Sequence, residues 1–99
     1  MTDNGKLLNM IGLAKRAGKV ETGTNFTIKA ISDKQARLVI LANDASDNLK
    51  KKVTDKATFY DATVISPIST VELSFAIGRQ RTVIAITDAG FAEAITKLT

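Results

Sequence analysis

The 99-residue sequence contains no cysteine and no histidine. Without cysteine the chain can form neither a disulfide framework nor a thiolate zinc site, and without histidine it lacks the commonest metal ligand and general base. A Ser-His-Asp triad is excluded for the same reason. The six glycines are scattered one by one, so no phosphate-binding loop of the Walker or dinucleotide type is present. Any catalysis would therefore depend on carboxylates and lysines.

Long apolar runs are missing as well. No stretch approaches the roughly 18 residues that a transmembrane helix needs, and the N-terminal segment MTDNGKLLNM lacks the charged-then-apolar order of a secretory signal. With 44% hydrophobic and 24% charged residues, the composition is typical of a soluble globular chain with one core. We therefore expect one domain, residues 1–99, located in the cytoplasm and without a membrane partner.

The formal net charge of +4 is unevenly distributed along the chain. Residues 1–37 carry seven Lys or Arg and three acidic residues, whereas residues 38–99 carry seven of each. This polarity suits a polyanionic partner such as nucleic acid. Charge that only maintains solubility would give the same excess.

The apolar pattern of the first half predicts alternating helices and strands. A first helix ends before Gly18, and a short strand follows at Val20–Thr22. Gly23 leads into a second helix with Thr24 as its N-cap, and ARLVILA (36–42) has the continuous apolar pattern of a central strand covered on both faces. The core positions of these two helices are expected at Leu7, Leu8, Ile11, Ala14, Ile28 and Ile31.

A third helix follows the central strand, with Asp44 or Ser46 available as its N-cap. Leu49 and Val53 should face inward. A group of lysines should lie mostly on the outer side, where a solvated surface is the ordinary interpretation and contact with phosphate is the alternative. These residues are Lys50, Lys51, Lys52 and Lys56.

The second half repeats the alternation. ATVI (62–65) is a strand, and the sole proline, Pro67, marks a loop. STVE (69–72) fits a capping box at the start of a fourth helix, and TVIAI (82–86) is the second strongly apolar strand. Asp88 should cap a last helix whose inner side carries Phe91, Ile95 and Leu98. Four strands alternating with five helices predict an α/β fold, a three-layer α/β/α sandwich.

Two carboxylates are candidates for catalysis. Asp44 and Asp88 each follow an apolar strand, where α/β sheets commonly place their sites, and a small phosphotransfer enzyme could use either one. Both are equally explained as helix N-caps. We therefore predict no catalytic residue, no metal site and no cofactor.

The start of the second helix, TGTNFTIKA (22–30), contains polar residues that are candidates for ligand binding. Lys29 falls in the second turn, near the end of a helix that disfavours positive charge. Asn25 lies four residues earlier on the same face, so an amide, an ammonium and free backbone N–H groups would be neighbours, a set that suits phosphates and base edges. Phe26 lies only about 60° from Lys29 at roughly 100° per residue. It should stack on a base or shield the Lys29 contact, or else fold back onto Val20 or another residue that precedes the helix.

Two longer stretches resemble a known family. TGTNFTIKAISDKQARLVILANDAS (22–46) and VELSFAIGRQRTVIAITDAGFA (71–92) are similar to the ribosomal-protein family usually called seven-Ae / thirty-e, whose members bind kink-turn RNA. The pattern is a glycine, a small residue and an asparagine at a helix start, a lysine four residues later, and an apolar strand that runs into an Asp-containing turn. The likeness covers nearly the whole chain and is greatest to the small bacterial members.

The resemblance implies a mixed four-stranded sheet, no enzymatic activity and binding to structured RNA, with ribosomal RNA and the ribosome as candidate partners. In such binding, the second-helix start enters the widened groove at tandem sheared G·A pairs. Gly23, Thr24 and Asn25 match the loop and helix start of the motif, and Lys29 matches its lysine. A protein-interaction module on the same fold, with the basic face docking an acidic partner, is the alternative.

A second loop, residues 68–73, would cover the flipped-out nucleotide of the bulge. Ile68 and Val71 flank the capped helix start beside the proline and are suited to cover an unstacked base. Packing at the edge of the core would explain both residues equally well. The chain departs from the family pattern at Phe26, where Glu or Gln is frequent, and at Ser74, where a glycine is common.

Overall fold

The computed structural model describes residues 4–99 and contains nine helices and strands in this range. Residues 1–3, which begin the segment interpreted above as lacking a secretory signal, lie outside the described residues. The alternation of helices and strands predicted from the sequence is confirmed. The elements are α1 (Gly5–Arg16), β1 (Val20–Thr22), α2 (Thr24–Ser32), β2 (Leu38–Leu41), α3 (Asp47–Phe59), β3 (Val64–Ile65), α4 (Thr70–Ile77), β4 (Val83–Ile86) and α5 (Ala89–Lys97).

The four strands form one mixed sheet in the order β1-β4-β2-β3. β4 pairs antiparallel with both β1 and β2, with Val20 opposite Ile86 and Val39 opposite Ala85. β2 and β3 are parallel, and α3 supplies the crossover that a parallel pair requires. Every residue of β2 and β4 is buried, in agreement with their continuous apolar sequences.

Helices cover both faces of the sheet and complete the three layers. Side chains alternate along β2, so that Leu38 and Ile40 face α1, α4 and α5, whereas Val39 and Leu41 face α2 and α3. The two resulting cores are separate clusters. The first contains Leu7, Ile11, Ala14, Leu38, Ile40, Ile68, Leu73, Ile77, Ile84, Ile86, Ala92 and Ile95, and the second Ile31, Val39, Leu41, Ala45, Val53 and Val83.

Side chains cap three of the helices. Ser46, and not Asp44, caps α3 by accepting a hydrogen bond from the Leu49 N–H at 3.2 Å. Ser69 and Glu72 form the predicted capping box at the start of α4, and Asp88 caps α5 as expected. These bonds satisfy backbone donors that a helix start leaves without a partner.

The start of α2 differs from the prediction. The N-cap is Gly23, and Thr24 is the first helical residue, with no side chain capping this end. Gly23 still belongs to the sheet in its hydrogen bonding, because its N–H donates to the Val83 carbonyl at 3.0 Å. The chain then enters the helix through a φ of 92° at Gly23, a value that favours glycine.

Five predicted core positions are less buried than expected, among them Leu8, Leu49 and Phe91, which are half-buried beside the core clusters. Ile28 is only half-buried, and the inner face of α2 consists of Thr27, Ala30 and Ile31. Leu98 is exposed because α5 ends at Lys97, so that this residue follows the helix instead of completing its apolar side. No helix within residues 4–99 combines the length and the apolar character that crossing a bilayer requires.

Candidate functional site

The β2–α3, β3–α4 and α4–β4 connections meet the start of α2 at one edge of the sheet. β1 and β2 both end at this edge, and β4, which runs antiparallel to them, begins there. Gly23 is joined to Val83 by the bond described above, and the Asn43 N–H donates to the Ile68 carbonyl at 2.8 Å. The fold thus brings the helix-two start and the second loop, which are about 45 residues apart in the sequence, to the same side of the molecule.

The outer face of α2 carries three exposed side chains, with Asn25 and Phe26 in the first turn near this edge and Lys29 in the last turn. Phe26 is 63% exposed and packs against neither core cluster in the described part of the chain. Val20, the residue onto which it was alternatively expected to fold, packs against the cluster on the α1 side of the sheet. The aromatic ring is therefore available for contact with a ligand, as its angular position predicted.

Lys29 occupies a different helical environment from the one expected. α2 ends at Ser32, so Lys29 lies in the last turn, where a positive charge complements the helix dipole. Its Nζ donates to Asp33 Oδ2 at 2.7 Å, and this hydrogen bond, together with the charge of Asp33, raises the pKa of Lys29. The prediction that Lys29 lies at the helix end that disfavours positive charge is therefore wrong, because α2 is only nine residues long and its second turn is also its last.

The second loop divides into one buried and one exposed residue. Ile68 is completely buried and belongs to the core cluster with Leu73 and Ile77. The expectation that its side chain covers a base is thus corrected, since packing against the core removes it from the surface. Val71, the second residue of α4, is 77% exposed. The surface interpretation therefore remains open only for Val71.

Asp44 holds the second loop in place. Its Oδ1 accepts hydrogen bonds from the Thr70 backbone N–H at 2.9 Å and from the Thr70 hydroxyl at 2.6 Å. These bonds lower the pKa of Asp44, so it stays ionised at neutral pH. The carboxylate links the β2–α3 connection to the start of α4, across 26 residues of sequence.

Glu72 fixes the same helix start from another side. It completes the capping box with Ser69, and its Oε2 accepts a hydrogen bond from the Asn4 side chain at 2.9 Å. The Asn4 bond is the main cause that lowers the pKa of Glu72, with the Ser69 backbone N–H as a second cause. Together with Asp44, this contact presents Val71 on a rigid helix start.

Arg81 also belongs to the site, although the sequence interpretation did not include it. Its Nε donates to the Thr22 hydroxyl at 3.2 Å, and a Cβ built at Gly23 would lie 3.6 Å from the same nitrogen. Ser74 fixes the turn that carries Arg81, because its Oγ accepts from the Arg81 N–H at 3.0 Å and donates to the Arg81 carbonyl at 3.2 Å. Ser74, which stands where a glycine is common in the family, therefore helps to position the Arg81 guanidinium beside the start of α2.

The signal that could have identified Arg81 is the run GRQR (78–81), which places two arginines directly after the end of α4. Because residues 38–99 carry equal numbers of basic and acidic residues, the net charge of this segment did not indicate a role for Arg81. A shallow groove of about 350 Å³ runs along the outer face of α2, beside the ion pair of Lys29 and Asp33. Its lining residues are Glu21, Phe26, Lys29, Ala30, Asp33, Gln35 and Thr87.

Residues 5–96 match the sequence model of the ribosomal protein L7Ae/L30e/S12e/Gadd45 family. The chain belongs to this family. It is 45% identical over 93 residues to the RNA-binding protein YlxQ of Enterococcus faecium, covering 94% of this chain and 90% of that protein. It is 43% identical over 90 residues to the RNA-binding protein YlxQ of Bacillus subtilis, covering 90% of each. The resemblance to small bacterial members of the family is confirmed.

Two solved structures share the fold. A protein of unknown function from Bacillus halodurans superposes with a TM-score of 0.89 at 39% identity, covering 94% of this chain and 95% of that one. The Giardia lamblia 15.5kD RNA binding protein superposes with a TM-score of 0.75, covering 95% of this chain and 88% of that one. At 20% identity, the latter likeness establishes the three-layer L7Ae-type fold alone.

Proposed function

We propose that this family member is a non-catalytic RNA-binding protein, one domain over residues 1–99, that recognises kink-turn RNA. The observation that carries the proposal is the outer face of α2, where Asn25, Phe26 and Lys29 are exposed on a helix that begins beside Arg81 and at the same sheet edge as the start of α4. The relatives named as RNA-binding proteins support an RNA partner. Ribosomal RNA, and with it the ribosome, is the expected source of the kinked RNA.

The start of α2 offers donors for a phosphate. Because no side chain caps this helix in the described part of the chain, the first N–H groups of α2 are candidate donors to an anion, as at other anion-binding helix starts. Gly23 keeps the approach open, and the Arg81 guanidinium adds positive charge beside it. Asn25 supplies an amide that can donate to and accept from a base edge.

The start of α4 supplies the second contact. Val71 presents an apolar surface on a helix end that Asp44, Ser69 and Glu72 hold in place. An unstacked base can cover such a surface. We propose that Val71 alone performs the role that the sequence assigned to both Val71 and Ile68.

The two carboxylates considered for catalysis have structural roles, which supports a non-catalytic function. Asp44 accepts two hydrogen bonds from Thr70, and Asp88 Oδ2 accepts the Phe91 N–H at 2.9 Å. Among the residues that the structure describes, no group of three Asp or Glu lies together as a potential metal site. A phosphotransfer role for either carboxylate would compete with these hydrogen bonds to backbone donors.

The test is a competition between a kink-turn RNA and a plain duplex of equal length for the purified protein. The kink-turn RNA should bind more tightly, because the major groove of an A-form duplex is too narrow for side chains to read. Affinity for the kink-turn should fall with rising salt, with a slope that corresponds to only a few neutralised phosphates. Equal affinity for the two RNAs, or tighter binding to an acidic peptide of similar charge, would overturn the proposal.

A further inference from the structure

α3 ends in an aromatic and basic surface that the proposed site does not use. We call Lys52, Lys56, Phe59 and Tyr60 the α3 patch. Phe59 is 80% exposed, and its ring meets the Tyr60 ring edge-on with centroids 4.9 Å apart. Lys56 Nζ lies 5.9 Å from the centre of the Tyr60 ring. An open groove of about 430 Å³ is lined by the four patch residues and Asp55.

The patch lies at the opposite end of the sheet from the α2 start. α2 and α3 both begin at the edge where β1 and β2 end, and α3 then runs for 13 residues, a length of roughly 20 Å. Its last residues therefore lie near the edge where β3 begins. The patch shares no residue with the proposed kink-turn site, so the two surfaces can be tested separately.

Packing against the core does not explain why position 59 carries an aromatic side chain. Tyr60 packs against the core cluster between the sheet and α3, and it is the anchor of the pair. Phe59 packs against neither core cluster within residues 4–99, and its ring stands beside Tyr60 with most of its surface in solvent. An exposed ring in edge-on contact with an anchored ring offers a surface on which a base can stack.

The charge of the patch is unbalanced. Asp55 lines the groove, but its carboxylate accepts a hydrogen bond from Lys51 at 3.1 Å. Lys52 and Lys56 form no ion pair with any carboxylate of the described chain. They lie one helical turn apart on the same face, beside the exposed ring. The patch therefore combines two positive charges with an aromatic face.

We propose that the α3 patch binds single-stranded RNA, with a base stacked on Phe59 and neighbouring phosphates neutralised by Lys52 and Lys56. The Asp and Glu side chains of an acidic peptide would satisfy the two lysines but have no aromatic face to stack on the ring. Each nucleotide of a single strand supplies both an anion and an aromatic face, which is the combination that single-strand binding surfaces use. The RNA held here can be a flank of a structured RNA or a separate strand.

Tyr60 provides a local reporter, because it is the only tyrosine and the chain has no tryptophan. The probe is a fluorescently labelled ten-nucleotide oligouridylate, titrated at low salt and followed by anisotropy. An unlabelled strand is titrated in parallel to follow Tyr60 emission, with free tyrosine amide as the absorption control. Binding should change both signals over the same concentration range.

The stacking step is tested with two equally exposed phenylalanines. Phe59→Ala should bind the oligouridylate about tenfold more weakly with an unchanged melting temperature, the scale of one lost stacked base. Phe75→Ala is the matched control, because Phe75 is also 80% exposed but lies on α4, and it should bind like the parent. Parent-like binding by Phe59→Ala, or an equal loss in both variants, would overturn the proposal.

The charge step and the identity of the ligand are tested separately. Lys52→Gln combined with Lys56→Gln should reduce the slope of log affinity against log salt by about 1.4, the value for two phosphates on a single strand. Lys97→Gln, which removes a lysine already paired with Glu93, should leave the slope unchanged. An acidic ten-residue peptide that displaces the strand and binds more tightly in a Phe59-dependent way would overturn the assignment to RNA. Retained oligouridylate binding by Asn25→Ala separates this patch from the α2 site.

Discussion

The inner and outer faces of α2 differ in chemistry although they belong to the same nine residues. Thr27, Ala30 and Ile31 are buried against β4 and α3, whereas Asn25, Phe26 and Lys29 are exposed. The inner residues are constrained by close packing, and the outer residues have no packing role to fulfil. Stability and ligand binding should therefore depend on different residues of one helix.

The largest expected effect concerns the inner face. Ile31→Ala should lower the free energy of unfolding by about 2–5 kcal/mol, because it leaves a cavity in the core between the sheet and α2. RNA affinity per folded molecule should not change. Chemical denaturation gives the first quantity, and titration at a temperature where the variant is folded gives the second. A loss of affinity without a loss of stability would mean that the two faces are not separate.

Phe26→Ala tests the outer face at its most exposed ring. Affinity for kink-turn RNA should fall about tenfold, the scale of one stacked base. The free energy of unfolding should change by less than about 0.5 kcal/mol, as for other surface substitutions. The opposite result, with lower stability and normal binding by the folded protein, would identify Phe26 as a local anchor of the helix.

Thr27→Val sharpens the contrast within the inner face. The Thr27 Oγ1 is buried and has no hydrogen-bond partner among the described residues. Replacing the hydroxyl by a methyl group of similar shape should raise the free energy of unfolding by about 1 kcal/mol and leave RNA affinity unchanged. Thr27→Ser, which keeps the hydroxyl and removes the methyl group, is the control and should destabilise the protein. A less stable Thr27→Val would show that the hydroxyl has a favourable role.

Local patterns predicted the elements and two helix starts well. The continuous apolar sequences of β2 and β4 predicted strands that are covered on both faces, and every residue of both strands is buried. The capping box of Ser69 and Glu72 could be predicted because its two residues are only three positions apart. The α2 start was misassigned at Thr24, because the decisive bond joins Gly23 to Val83, 60 residues away. A cap that depends on the sheet leaves no local signal.

Which residues form the candidate site was harder to predict from the sequence, because it depends on tertiary structure. Ile68 and Val71 are three residues apart and both apolar, yet Ile68 is buried in the core and Val71 is exposed to solvent. Side-chain direction at a helix start follows from packing, which the sequence alone does not give. Arg81 reaches the α2 start only because β1 and β4 pair and Ser74 holds the intervening turn. Neither outcome could be derived from spacing alone.

The decisive measurement is the affinity of Asn25→Ala and Lys29→Ala for a kink-turn RNA, with melting temperatures determined on the same samples. Each variant should bind about 5- to 150-fold more weakly, the range for the loss of one base contact, with little change in stability. Lys97→Ala is the matched control, because Lys97 also lies in the last turn of its helix and pairs with a residue four positions away. It should bind like the parent. Parent-like affinity of both Asn25→Ala and Lys29→Ala would show that the outer face of α2 is not where this protein contacts RNA.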